Sequence, residues 1–272
     1  MKLQYLGTAA AEGWPALFCE CDHCRRARAA GGNNIRTRSQ ALLDDKLVID
    51  FPADTYLHIL KHGLNTSLWT GVIFTHAHPD HFYPEDLFLH RPPYSHGAGL
   101  LQLYLTQSAA DKIKDRLSHS DEWADHLSFH VIEDFKPFYQ DAYEITPLRA
   151  DHDPSQDAHI YCISDGKKTL LYAHDTGYFT DDTWAYLKGR HFDLISLDCT
   201  YGALPTHRKG HMSIDVCAEV AQRLEDEKCI DGNTMRIINH FSHNSLKIYD
   251  EMVPFARQYG FDVSFDGKIV EF

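Results

Sequence analysis

His76-Ala77-His78-Pro79-Asp80-His81 follows directly on Gly71-Val72-Ile73-Phe74-Thr75, an apolar run with the composition of a buried strand. Residues two apart at the end of a strand point to the same side, so His76 and His78 can bind one metal ion. Pro79 turns the chain, and Asp80 with His81 can then reach a second ion nearby. Histidine and aspartate are common ligands of divalent metals. This stretch therefore predicts a binuclear metal site at the end of a strand.

A two-metal site needs further ligands, and three candidates stand where other strands are predicted to end. His152 lies in the run 149–153, Asp175 follows the apolar run 171–173, and His240 follows residues 237–239. Loops at one edge of a sheet can converge on one point. We therefore expect these three side chains to join the histidine cluster.

Three cysteines, Cys19, Cys21 and Cys24, fall within six residues, while the other four are scattered singly. The N-terminal residues lack the pattern of a signal peptide, and no apolar run approaches eighteen residues, so we expect a soluble cytoplasmic protein. In a reducing compartment, crowded cysteines indicate thiolate ligation of a metal rather than disulfides.

The composition supports metal binding and argues against binding to long nucleic acids. Histidine accounts for 19 of the 272 residues, and 26 Lys plus Arg against 39 Asp plus Glu give a net charge of -13. An acidic surface repels the phosphate backbone of DNA or RNA. The 43% of apolar residues is enough for a packed core, which excludes a disulfide-stapled mini-protein and a disordered tail.

Strand-like and helix-like stretches alternate along the chain, which predicts an α/β (α+β) protein with sheets covered by helices. The predicted strands span residues 2–6, 41–44, 47–51, 71–75, 101–106, 143–148, 160–164, 169–173, 193–197 and 235–239. The predicted helices span residues 54–61, 108–117, 181–187, 213–227 and 245–258. No linker divides the chain, so we expect a single domain over residues 1–272. The segment from about 89 to 140 has the composition of an insertion, either a lid or ordinary surface.

With this ligand set the chain resembles the metallo-β-lactamase-fold hydrolases along essentially its whole length. The resemblance implies an αββα sandwich with a binuclear site at one edge, between the two sheets. It also implies that Asp175 bridges the two metal ions. The implied binuclear ligands are His76, His78, Asp80, His81, His152, Asp175 and His240.

A narrower resemblance is to the PhnP-type cyclic phosphodiesterases of the carbon-phosphorus lyase pathway. It is carried by Leu-Gly-Thr at 6–8, the cysteine segment 19–24, Arg-Ser at 38–39, Asp-Cys-Thr at 198–200 and His-Phe-Ser-His at 240–243. It implies that His243 completes a structural zinc site with the three cysteines, where His23 is the competing fourth ligand. It further implies that His211 acts as a catalytic residue near the leaving group.

The implied chemistry is hydrolysis of a small, cyclic phosphodiester by a binuclear metal-bound hydroxide. Asp80 serves catalysis as a metal ligand, and His211 protonates the leaving oxygen. The expected cofactors are two active-site divalent ions, zinc or manganese and alternatively iron, and one structural zinc. The expected partner is a small-molecule substrate, with no large nucleic acid, no membrane, and a homodimer as the candidate assembly.

Other functions fit the same ligand set. The same hydroxide attacks carbonyl groups, which would make the protein a lactonase or thioesterase. A tRNA 3'-end nuclease shares the binuclear cluster, but the sequence has no Lys/Arg- and Gly-rich arm to bind RNA. A non-catalytic carrier similar to the PQQ-biosynthesis protein has the cysteine segment with a degraded cluster. Here residues 9–13, Ala-Ala-Ala-Glu-Gly, replace a glycine-rich turn, so the substrate is less defined than the reaction.

Overall fold

Two seven-stranded sheets form the centre of the computed structural model, which describes residues 1–118 and 123–272. The first sheet has the order β14-β1-β2-β3-β4-β5-β6. Its strands are β1 (Lys2–Gly7), β2 (Gln40–Leu43), β3 (Leu47–Ile49), β4 (Gly71–Ile73), β5 (Leu101–Leu105), β6 (Leu127–Val131) and β14 (Ile269–Glu271). The antiparallel half, β14 to β3, is continued by parallel pairing from β3 through β6.

The second sheet has the order β13-β12-β11-β10-β9-β8-β7. Its strands are β7 (Phe138–Gln140), β8 (Tyr143–Arg149), β9 (His159–Ser164), β10 (Thr169–Ala173), β11 (Leu194–Asp198), β12 (Met235–Asn239) and β13 (Asp262–Val263). Strands β10 to β13 are parallel to one another. Their carboxyl ends therefore meet at one edge of the sheet, where Asp175 and His240 follow β10 and β12.

Eight helices of the described residues accompany the sheets: α1 (Asp22–Ala30), α2 (Thr55–His62), α3 (Pro84–Leu87), α4 (Gln107–Lys112), α5 (Lys114–Leu117), α6 (Asp181–Leu187), α7 (Ile214–Asp226) and α8 (Tyr249–Arg257). Short 3-10 turns lie at Gly32–Asn34 and Thr66–Leu68. In the part of the chain that the structure describes, no helix is long and apolar enough to cross a membrane.

Three apolar clusters show the layer order, and strand β3 illustrates how alternation builds it. Leu47 and Ile49 pack between the two sheets, whereas Val48 packs on the opposite face with Val72 and Ala109. This follows from the two-residue period of a strand. A third cluster joins the outer face of the second sheet to α1, α6, α7 and α8. The layers are helix, sheet, sheet, helix, which confirms the predicted αββα sandwich.

Several helical regions differ from the sequence prediction: the short α3 was not predicted, and the helix predicted over residues 108–117 is divided into α4 and α5. Helix α1, over Asp22–Ala30, was not predicted because the sequence there is dominated by the cysteine pattern; its N-cap is Cys21, whose sulfur accepts a hydrogen bond from Cys24 N. The last helix begins at Tyr249 instead of residue 245, because Ser245 closes a turn onto Ser242 O. Backbone hydrogen bonding in the preceding loop thus delays the helix by one turn.

The segment from 89 to 140 contains β5, β6 and β7, so its ordered strands extend both sheets. Strand β5 pairs with β4, and β6 forms the edge of the first sheet. Residues 119–122, within the predicted insertion, lie outside the described residues. The role of the segment as a lid stays a prediction.

His58 on α2 provides a pH test of the fold, because it is completely buried. Its Nδ1–H donates to Gln40 Oε1 at 2.6 Å, and its Nε2 lies 2.7 Å from Thr37 Oγ1. Burial lowers the pKa of His58 to about 4, against the opposing charge of Asp266. The unfolded chain therefore binds more protons than the folded chain between pH 6.5 and 4, and stability is lost as pH falls through that window. From pH 7.5 to 5, we expect wild type to lose about 2 kcal/mol more than His58→Gln in urea unfolding.

The exposed His96 supplies the control, since His96→Gln should leave the pH dependence of wild type unchanged. Equal loss of stability in wild type and His58→Gln would show that His58 is charged in the folded protein.

Candidate metal centres

Three histidines form the first group of converging ligand atoms, at the carboxyl end of β4 and after β8. His76 Nε2 lies 2.8 Å from His78 Nδ1, and His152 Nε2 lies 3.2 Å from the same atom. Three nitrogens this close, on rings crossing nearly at right angles, face one common point. The group has the ligand type and spacing of one divalent ion.

Asp80, His81 and His240 form a second group, and Asp175 lies between the two. Asp175 Oδ2 lies 3.0 Å from His81 Nε2 and 2.9 Å from His240 Nε2, while Oδ1 lies 3.9 Å from His152 Nε2. Asp80 Oδ2 is 3.2 Å from His81 Nε2. One carboxylate thus presents an oxygen to each group, which is the arrangement expected of a bridging ligand.

Unpaired polar atoms show that these groups fit metal ions. His81 Nε2, His240 Nε2 and Asp175 Oδ2 are buried, and although Asp175 Oδ2 lies within 3.0 Å of both nitrogens, none of the three atoms has a hydrogen bond of good geometry among the described residues. A buried polar atom without a partner is costly, and cations between the groups would satisfy all three. Burial alone would raise the pKa of Asp175, but His240 and His81 hold it well below its usual value. The carboxylate is therefore ionised, as a ligand must be.

The second nitrogen of each candidate ligand ring has its own partner, and this fixes which nitrogen faces the common point. The pairs are His76 Nδ1 with Thr75 Oγ1 at 3.0 Å, His78 Nε2 with Asp153 Oδ2 at 3.3 Å, His81 Nδ1 with Asp50 Oδ2 at 2.7 Å, His152 Nδ1 with Gly210 O at 3.1 Å, and His240 Nδ1 with Thr200 Oγ1 at 2.8 Å. All five rings are therefore held in orientation by hydrogen bonds.

Asp50 is the functional residue that the sequence analysis missed most clearly. It follows β3, is completely buried, and accepts hydrogen bonds from Thr75 N at 2.8 Å and His81 Nδ1 at 2.7 Å. It shares a positive φ with Asp175 and His240, at 64°, 52° and 64°. Such backbone strain is concentrated at functional sites. The available signal was an aspartate directly after an apolar strand, as with Asp175.

His211 lies beside both groups and is oriented by Asp198. Its Nδ1 is 3.0 Å from Asp198 Oδ2, and its ring lies 4.9 Å from that of His152 and 5.6 Å from that of His240. Burial opposes a charge on His211, but the Asp198 carboxylate outweighs it and raises the pKa to about 9. Asp198 also accepts from Met212 N and Thr200 N, both at 3.0 Å. It is thus a fixed acceptor that holds the imidazole as a proton donor.

The three clustered cysteines meet His243, with all four ligand atoms within 4.8 Å of one another. The structure therefore groups His243, and not His23, with Cys19, Cys21 and Cys24. Ala16 N donates to Cys24 Sγ at 3.3 Å, and Cys24 N donates to Cys21 Sγ at 3.5 Å. Four protein ligands, three of them sulfur, have the composition of a closed structural zinc site.

Cys21→Ser tests the structural role of this group. We expect loss of one metal ion per chain and a fall in the free energy of unfolding on the order of 4 kcal/mol, because a structural metal site is lost. Turnover of the folded protein at low temperature should change by less than about threefold, since the binuclear ligands are untouched. Elemental analysis, urea unfolding and initial rates measure the three quantities.

Cys162→Ser is the control, because Cys162 is buried in the second sheet away from the cluster. It should keep its metal content and cost only about 1–3 kcal/mol from burying a hydroxyl. If Cys21→Ser kept wild-type metal content and stability, the cysteine group would not hold a structural ion.

Comparison with known proteins gives one family and several similar structures. Residues 61–230 match the model described as a Beta-lactamase superfamily domain. A search of curated proteins gave no match. A diphosphatase of the PhnP family is similar in structure, with a TM-score of 0.75 and 20% identity over 100% of this chain and 97% of that one. Zn(2+)-bound PqqB from Methylobacterium extorquens has a TM-score of 0.76 and 18% identity, with both chains covered completely. Human tRNase Z, short form, has a TM-score of 0.64 and 17% identity over 100% and 99% of the two chains.

At these identities the similar structures establish the fold alone. The family match covers more than half of the chain, and it includes His76, His78, Asp80, His81, His152 and Asp175. The chain therefore belongs to the beta-lactamase superfamily.

Proposed function

We propose that the protein is a metal-dependent phosphodiesterase that hydrolyses a small, cyclic phosphodiester. The observation that carries the proposal is the position of His211 beside two ligand groups that share Asp175. Its ring lies 4.9 Å from His152 of the first group and 5.6 Å from His240 of the second. A proton donor is thus placed next to the point where a metal-activated water would attack.

The candidate ligands would bind two metal ions, and His211 would act as the proton donor. His76, His78 and His152 would hold one ion, Asp80, His81 and His240 the other, and Asp175 both. Bound divalent ions lower the pKa of a water molecule and neutralise charge on phosphoryl oxygens. Asp198 accepts the Nδ1–H of His211 and raises the pKa of the ring to about 9, so near neutral pH His211 is an imidazolium that also holds a proton at Nε2. That proton can pass to the departing alkoxide, which is a poor leaving group unless it is protonated.

The surroundings of His152 favour a small substrate with hydroxyl groups. A cavity of about 420 Å³ lies beside this residue, within the usual range for small-molecule sites. Its wall carries Asp134, Asp151, Asp153 and Asp157 with one cation, Arg149. Carboxylates accept hydrogen bonds from sugar hydroxyls, whereas they repel a polyphosphate chain. With the net charge of -13, this supports a cyclic ribose phosphate over a large nucleic acid.

The decisive experiment pairs elemental analysis with rates on three chromogenic substrates: a phosphodiester, a lactone and a simple ester. We expect about three divalent ions per chain and turnover of the phosphodiester, with zinc or manganese restoring activity after chelation. Faster turnover of the lactone or ester would replace this assignment with a lactonase or thioesterase. About one ion per chain, with no turnover after metal addition, would favour a carrier protein.

A further inference from the structure

Glu12 lies in the turn after β1 and contacts the segment that carries two candidate metal ligands. Its Oε1 accepts hydrogen bonds from Ser242 Oγ at 2.6 Å and from His243 Nδ1 at 2.9 Å. The two segments are also joined through their backbones, since Phe241 N donates to Thr8 O at 2.9 Å and Ala10 N donates to Phe241 O at 3.0 Å. The carboxylate therefore meets His243 in a fixed position.

We propose that Glu12 is a positioning residue for the metal site formed by Cys19, Cys21, Cys24 and His243. This inference rests on the metal site proposed for these four residues. A carboxylate that accepts from Nδ1–H keeps the proton on that nitrogen and leaves the lone pair of Nε2 for a metal ion. It also makes Nε2 of the imidazole a stronger ligand for the metal ion, as such carboxylates do at other histidine-metal sites.

The Glu12 carboxylate adds negative charge near the cysteine site, so the site needs neighbouring positive groups to offset it. Three thiolates and one divalent ion carry a net negative charge, and Glu12 adds another within hydrogen-bond distance of a ligand. Amide donors offset part of it, since Ala16 N donates to Cys24 Sγ and Cys24 N donates to Cys21 Sγ. Arg28 adds a cation to the same loop, with Nη2 donating to Cys19 O at 2.8 Å. The carboxylate is thus accommodated by neighbouring positive dipoles and charge.

The segment that Glu12 contacts also carries His240, a candidate ligand of the other metal centre. Ser242 and His243 lie two and three residues after His240, and Ser242 N donates to Thr200 O at 3.2 Å. Thr200 in turn contacts His240 Nδ1 at 2.8 Å through its hydroxyl. Removing Glu12 frees the His243 ring, while the backbone bonds to Thr8 and Thr200 keep His240 in place. The effect should therefore be concentrated at the cysteine site.

The test compares Glu12→Ala, Glu12→Gln and Glu20→Ala in the full chain loaded with cobalt. Glu20 is a matched control: it lies between two of the cysteines, carries the same charge, and pairs with Arg28 instead of a candidate ligand. Thiolate-to-cobalt charge-transfer absorption reports the cysteine site, and its decay in excess chelator gives the rate of metal loss. Circular dichroism checks that each variant is folded.

We expect Glu12→Ala to lose cobalt about 10–100-fold faster than wild type, because removing a partner of a ligand histidine lowers metal affinity by about that factor. Glu12→Gln should be intermediate, because its carbonyl oxygen still accepts a hydrogen bond without the charge. Glu20→Ala should stay within about twofold of wild type. If both Glu12 variants lost cobalt at the wild-type rate, or if Glu20→Ala lost it as fast as Glu12→Ala, the positioning role of Glu12 would be wrong. The metal site itself would still stand. A wild-type protein without the charge-transfer band would overturn the metal site itself.

Discussion

Asp175→Ala is expected to abolish phosphodiester hydrolysis, with turnover lowered about 10³-fold or more, and to remove at least one active-site ion per chain. Asp175 is the residue shared by the two ligand groups, at 2.9 Å from His240 Nε2 and 3.9 Å from His152 Nε2. Loss of two-metal charge stabilisation is worth several kcal/mol of barrier, which corresponds to that factor in rate. Steady-state rates and elemental analysis on the same sample measure both effects.

The backbone at Asp175 calls for a second variant. Its φ of 52° lies in the left-handed region, which alanine tolerates poorly and asparagine adopts more readily. Asp175→Asn should therefore keep the fold while it loses the negative charge, and it should be inactive as well. Asp141→Asn is the control, because Asp141 is an exposed carboxylate in the turn between β7 and β8 and has the same φ of 52°. An active Asp175→Asn with its full metal content would remove Asp175 from the bridging role.

The sequence was sufficient to place the candidate ligands at strand ends, because the strands before them can be recognised. His76 lies shortly after β4 of the first sheet, whereas Asp175 and His240 lie shortly after β10 and β12, whose carboxyl ends meet at one edge of the second sheet. The pairing of the two sheets needed the family resemblance, since it depends on contacts between residues far apart in the chain. The short edge strands β13 and β14, of two and three residues, carry too little periodicity to be predicted.

The outer partners of the ligands were less predictable for a physical reason. Thr75 and Thr200 act through one hydroxyl each, and nothing in their local sequence distinguishes them from other threonines near strand ends. Glu12 is separated from His243 by 231 positions, so only the folded backbone brings the two together. Asp198 is the last residue of β11. In the structure it contacts His211 at 3.0 Å and lies farther from His240, at 3.5 Å.

His211→Ala is expected to lower kcat about 10²–10⁴-fold for a phosphodiester with an alkyl leaving group, while both active-site ions stay bound. The reason is that an alkoxide needs a proton as it leaves, and His211 is the donor held by Asp198. A nitrophenolate leaves without protonation, so the same variant should lose much less activity on a phosphodiester with a nitrophenyl leaving group. The two substrates, compared at equal metal content, separate proton donation from general damage to the site.

Asp198→Asn adds a pH readout to this prediction. Asp198 raises the pKa of His211 to about 9 against the effect of burial, so its removal lowers that pKa. Activity that needs protonated His211 is lost as pH rises through its pKa, and the alkaline limb of kcat should therefore move to lower pH in Asp198→Asn. His207→Ala is the matched control, because His207 lies on the same loop, where its ring centroid is 3.7 Å from that of Tyr201. Loss of metal in His211→Ala would make His211 a metal ligand, and an equal loss of rate with both leaving groups would make it a structural residue. In either case His211 would not be the proton donor to the leaving oxygen.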